Sequence, residues 1–178
     1  MVKHYYQNIE GFFTWPDFYT EAVRNIPNNG VMVEVGVFRG KSFSFLMTEI
    51  ANSGKNIRAY GVDDFKSLMG WRIEESIHEA FLLNLAPHAG KYQLFAMSSV
   101  EAAAMFSYAI IDFCFIDASH DYENVLRDIR AWLPKMKPGS VIAGHDYTDE
   151  WPGVRQAVSE CFDSWAIEVI NDCWRVQL

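Results

Sequence analysis

Five small polar groups punctuate a chain that is otherwise rich in apolar runs: Glu34; Asp63 with Asp64; Ser98 with Ser99; Asp117 with His120; and His145 with Asp146. Each stands at or near the end of a short, mostly apolar stretch, where a buried strand would surface. Grouped carboxylates and imidazoles have few chemical uses. Asp117 and Asp146 offer hard oxygen ligands to a Mg²⁺-like cation, with His145 as a further candidate. Two carboxylates and two imidazoles suit a softer ion such as Zn²⁺ or Mn²⁺ equally well. Without a metal, His120 or His145 is a candidate general base, its ring oriented by a neighbouring Asp. The plainer alternative for each His is a satisfied hydrogen bond under a loop. Asp121 reads as a helix cap rather than a catalyst. Tyr122 and Tyr147 read as packing aromatics first and ligand platforms second. Trp71 and Arg72, just beyond the Asp63-Asp64 pair, read as a solvated loop or as an overhang on a ligand.

A second kind of chemistry lies in Val31 to Ser42, Val-Met-Val-Glu-Val-Gly-Val-Phe-Arg-Gly-Lys-Ser. The apolar run predicts a strand covered on both faces, then a glycine turn, then a helix start, a unit that cradles nucleotide-like ligands. Three glycine-loop readings compete. A phosphate loop needs Gly, four residues, then Gly-Lys-Ser, and this chain has only three residues between Gly36 and Gly40. A dinucleotide fingerprint fails because Glu34 and Arg39 stand where glycine is required. The remaining pattern, acidic-x-Gly-x-x-x-Gly, fits Glu34, Gly36 and Gly40 and suits a ligand without phosphate, whose cationic amino group a carboxylate can face. An ordinary strand-to-helix turn without a ligand is the alternative.

The elements that must position these groups follow from periodicity and turn signals. A helix is expected from Trp15 to about Ile26, capped by Thr14, and a strand from Val31. Helix Lys41 to about Ala51 and strand Ile57 to Val62 come next. A helix runs near Glu74 to Leu85, followed by strand Tyr92 to Met97 and a short helix Val100 to Phe106. Strand Ile110 to Ile116, helix Tyr122 to about Met136, a stop at Lys137-Pro138-Gly139, strand Ser140 to Ala143 and helix Val154 to about Phe162 complete the alternation. Strands Trp165–Ile170 and Cys173–Gln177 close the chain around a tight Asn171-Asp172 hairpin. Such alternation predicts an α/β, doubly wound, mostly parallel sheet with one antiparallel edge strand. Ligands of such sheets gather outside the C-terminal strand ends. All the polar groups named above fall there, while the opposite connections, Pro-Asn-Asn-Gly, Asn-Ser-Gly-Lys and Lys-Pro-Gly, are plain turn chemistry.

Composition narrows the classes. The chain has 178 residues, one domain by length: residues 1–30 form an N-terminal segment and helix, and 31–178 the core. Half of it is hydrophobic, which excludes disorder. A net charge of −8 without a basic block argues against a nucleic-acid partner. No apolar run approaches the roughly 20 residues of a membrane span, and the N-terminus has no signal-peptide core, so a cytoplasmic protein without membrane partner is expected. Cys114, Cys161 and Cys173 are odd in number and far apart, as reduced packing residues would be. Aromatic residues 1–13 are expected to cover a neighbouring surface, and the terminal hairpin makes a homodimer plausible.

Taken together, Glu34-Val35-Gly36-Val37-Phe38-Arg39-Gly40-Lys41-Ser42, Gly61-Val62-Asp63-Asp64-Phe65, Ile116-Asp117-Ala118-Ser119-His120-Asp121-Tyr122, Lys137-Pro138-Gly139 and Gly144-His145-Asp146-Tyr147 resemble class I S-adenosylmethionine-dependent methyltransferases. The nearest branch is the small O-methyltransferase-like group that includes macrocin O-methyltransferase relatives. The resemblance implies a Rossmann-like three-layer sandwich with a seven-stranded sheet in the order 3-2-1-4-5-7-6. It implies S-adenosylmethionine as cofactor and S-adenosylhomocysteine as product, and a small-molecule acceptor with a sugar or phenolic hydroxyl. It sets Gly36 and Gly40 against the methionine moiety, Glu34 toward its amino end and Asp63 on the ribose. Phe38, Ser42, Asp64, Ser98, Ser99 and Asp117 complete the implied cofactor set. Relatives often carry an acidic residue at Ser98, near the adenine amino group; Met97-Ser98-Ser99 replaces their Gly-Asp-Ser. A hydroxyl acceptor needs its proton removed, which assigns His120, His145 and Asp146 to catalysis, or Asp117 and Asp146 to a divalent cation. The rival reading is a non-catalytic domain that binds S-adenosylmethionine or a nucleotide.

Overall fold

The computed structural model describes residues 1–66 and 76–178. The expectations for Trp71, Arg72 and the start of the helix near Glu74 lie outside the described residues. Helix α1 spans Pro16–Asn25, strand β1 Val31–Val35, helix α2 Lys41–Ser53 and strand β2 Arg58–Val62. They are followed by α3 (Ile77–Asn84), β3 (Tyr92–Phe95), α4 (Ser99–Ala104), β4 (Ile111–Ile116) and α5 (Tyr122–Trp132). Strand β5 (Met136–Gly144), α6 (Pro152–Cys161), β6 (Glu168–Ile170) and β7 (Cys173–Gln177) complete the fold. The sheet has seven strands in the order β3-β2-β1-β4-β5-β7-β6, as the resemblance implied. Strand β7 is antiparallel to both neighbours, so the antiparallel strand sits one place in from the edge.

Why the sheet is covered on both faces is legible in β1. Its alternation sends Val31, Val33 and Val35 to one side, against Leu126 and Ile129 of α5 and Ala157 of α6. Met32 goes to the other side with Phe18 and Tyr19 of α1, Phe43 of α2 and Phe81 of α3. Burying side chains of this kind stabilises by about 1.5–3 kcal/mol each relative to exposure, so both faces commit β1 to the centre. Glu34 shares the Met32 face, which explains its polar partners below.

Several boundaries differ from the sequence expectation, each for a local reason. Helix α1 begins at Pro16 with Trp15 at the cap position and without a side-chain cap from Thr14. A proline at the first position has no N–H to leave unsatisfied, so the cap is dispensable. Helix α5 stops at Trp132 rather than Met136, because Pro134 cannot donate and Leu133–Lys135 tighten into a 3₁₀ turn. Lys137-Pro138-Gly139 lies inside β5, not before it. Pairing with β4 shifts register between Ile111 and Phe113, Gly139 takes φ +78°, and the Lys137 ammonium donates to both oxygens of Asp112 at 2.8 Å. The three residues form a bulge. Asn171 and Asp172, at φ +47° and +66°, make the expected tight hairpin.

Residues 1–13 pack on their own domain. Tyr6 meets Phe45 of α2 edge-on, His4 stacks on the same ring, and the Arg39 guanidinium donates to Glu10 at 2.6 Å. All three cysteines are free thiols, Cys114 and Cys173 being buried.

Candidate active site

The loop after β1 is shaped by the chain itself. Gly36 has φ +92°, and a Cβ there would stand 2.0 Å from the Asp117 carbonyl oxygen. Gly40 has φ +85°, and its Cβ would meet Leu85 at 2.3 Å. Both positions need glycine for backbone conformation and for close approach within the protein, before any ligand is considered. Between them Phe38 takes φ +45°, and its N–H donates to Asp63 Oδ2 at 2.8 Å. Asp63 Oδ1 accepts from the Phe65 N–H at 2.7 Å. One carboxylate thus clasps the loops after β1 and β2. Burial pushes the pKa of Asp63 up, while those amide donors pull it down.

Beside this clasp a cavity of about 400 Å³ opens at the C-terminal strand ends. That volume is within the range of roughly 300–1,000 Å³ typical of small-molecule sites. Gly36, Phe38, Asp63 and Asp64 line it from β1 and β2, Ser98 and Ser99 from the start of α4, and Asp117 from the end of β4. Three of the expected cofactor residues, Glu34, Gly40 and Ser42, are not on its wall. The reason is the strand period: Glu34 points to the α1–α2 face. It is 1% exposed, and its Oε1 accepts from Ser42 Oγ at 2.5 Å. Burial drives its pKa up to about 7, against the opposing pull of Ser42 and Tyr19.

The sequence reading missed the far wall. Asn124, Arg127 and Asp128 of α5 line the same cavity. Their spacing by three and four residues puts them on one helix face, and Asp121, which caps α5 by accepting the Asn124 N–H at 3.0 Å, fixes the phase of that face. Asp128 is 4% exposed, and burial pushes its pKa up to about 6. Ser98 is occupied as the cap of α4, in a reciprocal capping box with Glu101.

The second cluster adjoins the cavity at Asp117. His120 Nε2 lies 2.8 Å from Asp146 Oδ2, and His145 Nδ1 lies 3.0 Å from Asp146 Oδ1. One carboxylate holds two imidazoles. Burial alone would raise the pKa of Asp146, but the two histidines more than offset it and hold the group below the usual carboxylate range. Asp117 behaves oppositely: burial, Asp146 and Glu34 drive its pKa well up. Each imidazole also rests on an indole. His145 lies 4.1 Å from the Trp15 ring and His120 stacks on Trp151 at 4.2 Å. Among the described residues, the buried His145 Nε2 has no hydrogen-bond partner. Asp146 itself has φ +62°, a conformation that aspartate tolerates better than most residues. Donor atoms of Asp117, His120 and Asp146 all lie within 4.8 Å of one another, a spacing compatible with one cation. Tyr122 and Tyr147 turn away toward α6, reaching Glu160 and Ser159 respectively.

A larger cavity of about 470 Å³ lies at the opposite strand ends. Its ionic groups are already matched: Lys137 with Asp112, and Arg175 with Glu21 and Glu168. It offers no comparable chemistry. Among the described residues, no helix is long and apolar enough to cross a membrane.

Comparison with known proteins agrees with the geometry. The family described as "Methyltransferase domain" matches residues 33–147. The uncharacterized protein y4gI of Sinorhizobium fredii is 26% identical over 117 residues, which are 65% of this chain and 13% of that protein. The chain therefore spans only about an eighth of the length of that curated relative. Among solved structures, the O-methyltransferase NovP is similar with a TM-score of 0.65 at 18% identity, over 91% of this chain and 78% of its own. CalS11, a TDP-rhamnose 3'-O-methyltransferase of calicheamicin biosynthesis, has a TM-score of 0.65 at 16% identity, over 91% of this chain and 76% of its own.

Proposed function

The chain belongs to the methyltransferase domain family, and from that premise we propose that it moves a methyl group from S-adenosylmethionine to a hydroxyl of a small molecule or sugar. The observation that carries this reading is the position of Asp117. It lines the 400 Å³ cavity and also stands within 4.8 Å of His120 and Asp146, so a cofactor site and a proton-handling cluster share a wall. The fit of the cofactor rests on the cavity's size, on the Gly36 turn that brings bare backbone to its edge, and on the Asp63 and Asp64 carboxylates suited to ribose hydroxyls. When bound, the cofactor supplies an electrophilic methyl on sulfur.

The chain's own residues then have three tasks. The first is positioning, because in-line transfer gains most from holding the acceptor oxygen close. The second is removal of the hydroxyl proton. His120, 25% exposed against 15% for His145, is the more accessible base. The third falls to Asp146, which orients both rings and stabilises the imidazolium once the proton has moved. Trp15 and Trp151 wall the rings from water, which strengthens these interactions. Glu34, Gly40 and Ser42 serve below the site, holding the loop that the cofactor touches.

A second reading has its own observation. The donor set Asp117, His120 and Asp146 fits a divalent cation, provided that the His120–Asp146 hydrogen bond gives way to it. A cation there would lower the acceptor hydroxyl's pKa directly.

The test is a titration followed by an assay. S-adenosylhomocysteine should bind and ATP should not. Methyl transfer to nucleotide-sugar and phenolic acceptors should drop on the order of 10²–10⁴-fold in His120→Ala. Sensitivity to chelator, restored by Mg²⁺ or Mn²⁺, selects the cation reading. Binding without turnover on any acceptor would return the chain to a non-catalytic role.

A further inference from the structure

Trp15 lies outside residues 33–147, the stretch that the family match covers, yet its ring stands 4.1 Å from that of His145. The imidazole there is thinly anchored. Its Nδ1 faces Asp146 Oδ1 at 3.0 Å, while Asp117 Oδ1, at 4.0 Å, is beyond hydrogen-bond range. Among the described residues its buried Nε2 has no hydrogen-bond partner, so the ring has one polar contact. A single contact is a pivot: it fixes one edge of the imidazole and leaves the plane free to turn about that edge. A flat neighbour removes this freedom, and the indole of Trp15 lies against His145 at an interplanar angle of 32°. The indole is itself wedged. It stacks on Phe115 of β4 at 5.5 Å, meets Phe13 edge-on at 5.1 Å, and leaves Trp15 only 3% exposed. The backbone before it is tied down as well. Gly11, at φ +136°, turns the chain; its carbonyl accepts from Lys41 Nζ at 2.8 Å, and Glu10 accepts from the Arg39 guanidinium at 2.6 Å. Residues 10–15 therefore run from the loop after β1, which lines the cofactor cavity through Phe38, to the imidazole of His145.

We infer that Trp15 is a positioning residue for methyl transfer: it holds the plane of His145 and, through Asp146, the aim of His120. The inference rests on the reaction proposed above and adds to it a part drawn from the N-terminal segment. The line of contacts is direct. Asp146 Oδ1 meets His145, and Oδ2 meets His120 at 2.8 Å. A turn of His145 about its pivot therefore turns the carboxylate and draws the second imidazole out of line. Misplacing such a group by about 1 Å costs about 10²-fold in rate, because alignment is much of what the protein supplies. Cofactor affinity is spared, since neither Trp15 nor His145 lines the 400 Å³ cavity.

A double-mutant cycle tests this, with kcat measured on a nucleotide-sugar or phenolic acceptor and the Kd for S-adenosylhomocysteine by titration. Trp15→Leu should lower kcat by about 10- to 100-fold and leave that Kd within about twofold. Trp15→Phe, which keeps a flat ring, should recover most of the loss. In a His145→Ala background Trp15→Leu should change kcat by less than about twofold, because no ring is left to hold. Losses that multiply across the cycle would make Trp15 a packing residue and overturn the inference, as would a Kd that rises in step with the fall in kcat. Should Trp15→Leu not fold, the cycle is run with Trp15→Phe, whose smaller loss must likewise vanish without His145. The NMR signals of the His145 ring give a reading that needs no acceptor. They should be sharp in wild type and in Trp15→Phe and broadened by exchange in Trp15→Leu; unaltered line widths in Trp15→Leu overturn the inference. If wild type methylates no acceptor, the proposed function falls, and the line widths alone decide whether Trp15 holds the ring.

Discussion

Two carboxylates in this protein are tuned in opposite directions, and their titration separates support from catalysis. Asp146 accepts from two imidazoles and is held ionised, whereas Glu34 is buried with a hydroxyl partner and pushed up to about 7. For Glu34 the folded state binds the proton more tightly than the unfolded chain. Its contribution to stability is therefore complete below its ordinary value of 4.5 and is lost as pH rises through about 7. The shift corresponds to about 3 kcal/mol. Urea unfolding from pH 5 to 8 should show stability falling over that window, and Glu34→Gln should flatten the slope. A slope unchanged in the variant would mean that other groups control it. Asp146 contributes with the other sign: its stabilisation is present above about 4 and vanishes as pH falls through its depressed value. Asp146→Asn removes the charge shared by both histidines, and kcat should fall by about 10²–10⁴-fold while the Kd for S-adenosylhomocysteine stays within about twofold. A kcat within about threefold of wild type would deny Asp146 its central role.

At the scale of elements, the strand-to-helix turn after β1 is the tightest piece of construction. Gly36, Gly40 and Gly139 all have positive φ, yet only the first two face obstructions. Among the described residues, nothing lies within 4 Å of a Cβ at Gly139. Gly139→Ala should therefore cost only the backbone strain, about 1 kcal/mol. Gly36→Ala adds a collision with the backbone of Asp117 and should cost more than about 3 kcal/mol, with loss of S-adenosylhomocysteine binding. Thermal melts of the two variants side by side test the distinction; equal losses would mean that the loop relaxes freely. The start of α4 supplies a milder case. Ser98→Ala removes half of the capping box and should destabilise by about 1 kcal/mol, since the residue's contact with Glu101 is a cap whatever else it touches.

On the scale of the whole molecule, the N-terminal segment is bound into the site rather than appended to it. Trp15 lies against His145, Tyr19 of α1 is fully buried beside Glu34, and His4 and Tyr6 pack on α2. We therefore propose that residues 1–178 unfold as one cooperative unit. Removing residues 1–14 should lower the midpoint of that transition and reduce methyl transfer, whereas a second transition in calorimetry would divide the segment from the core. Val169 of the terminal hairpin and Trp165 in the turn just before it are exposed, 47% and 83% respectively. Sedimentation at micromolar concentrations tests whether that surface pairs two copies.

The strand alternation, the glycine turn and the polar groups at the strand ends could be read from residues 31–147 alone, because periodicity and turn chemistry are local properties. The sheet order followed from likeness to a family, and the folded sheet has that order. Local signals were weakest where proline acts at a distance from its own position: α5 ended early, and Lys137-Pro138-Gly139 became a bulge within β5. Sequence also placed Glu34 with the ligand, whereas the two-residue period of a strand covered on both faces turns it to the other side of the sheet. No spacing in the chain announced that one carboxylate would hold both histidines, that indoles from both ends of the sequence would flank them, or that Asp128 would close the cavity. Those juxtapositions join residues far apart in the chain. They exist only once the sheet's order and the helix phases are set, because packing of distant elements decides which side chains share a space.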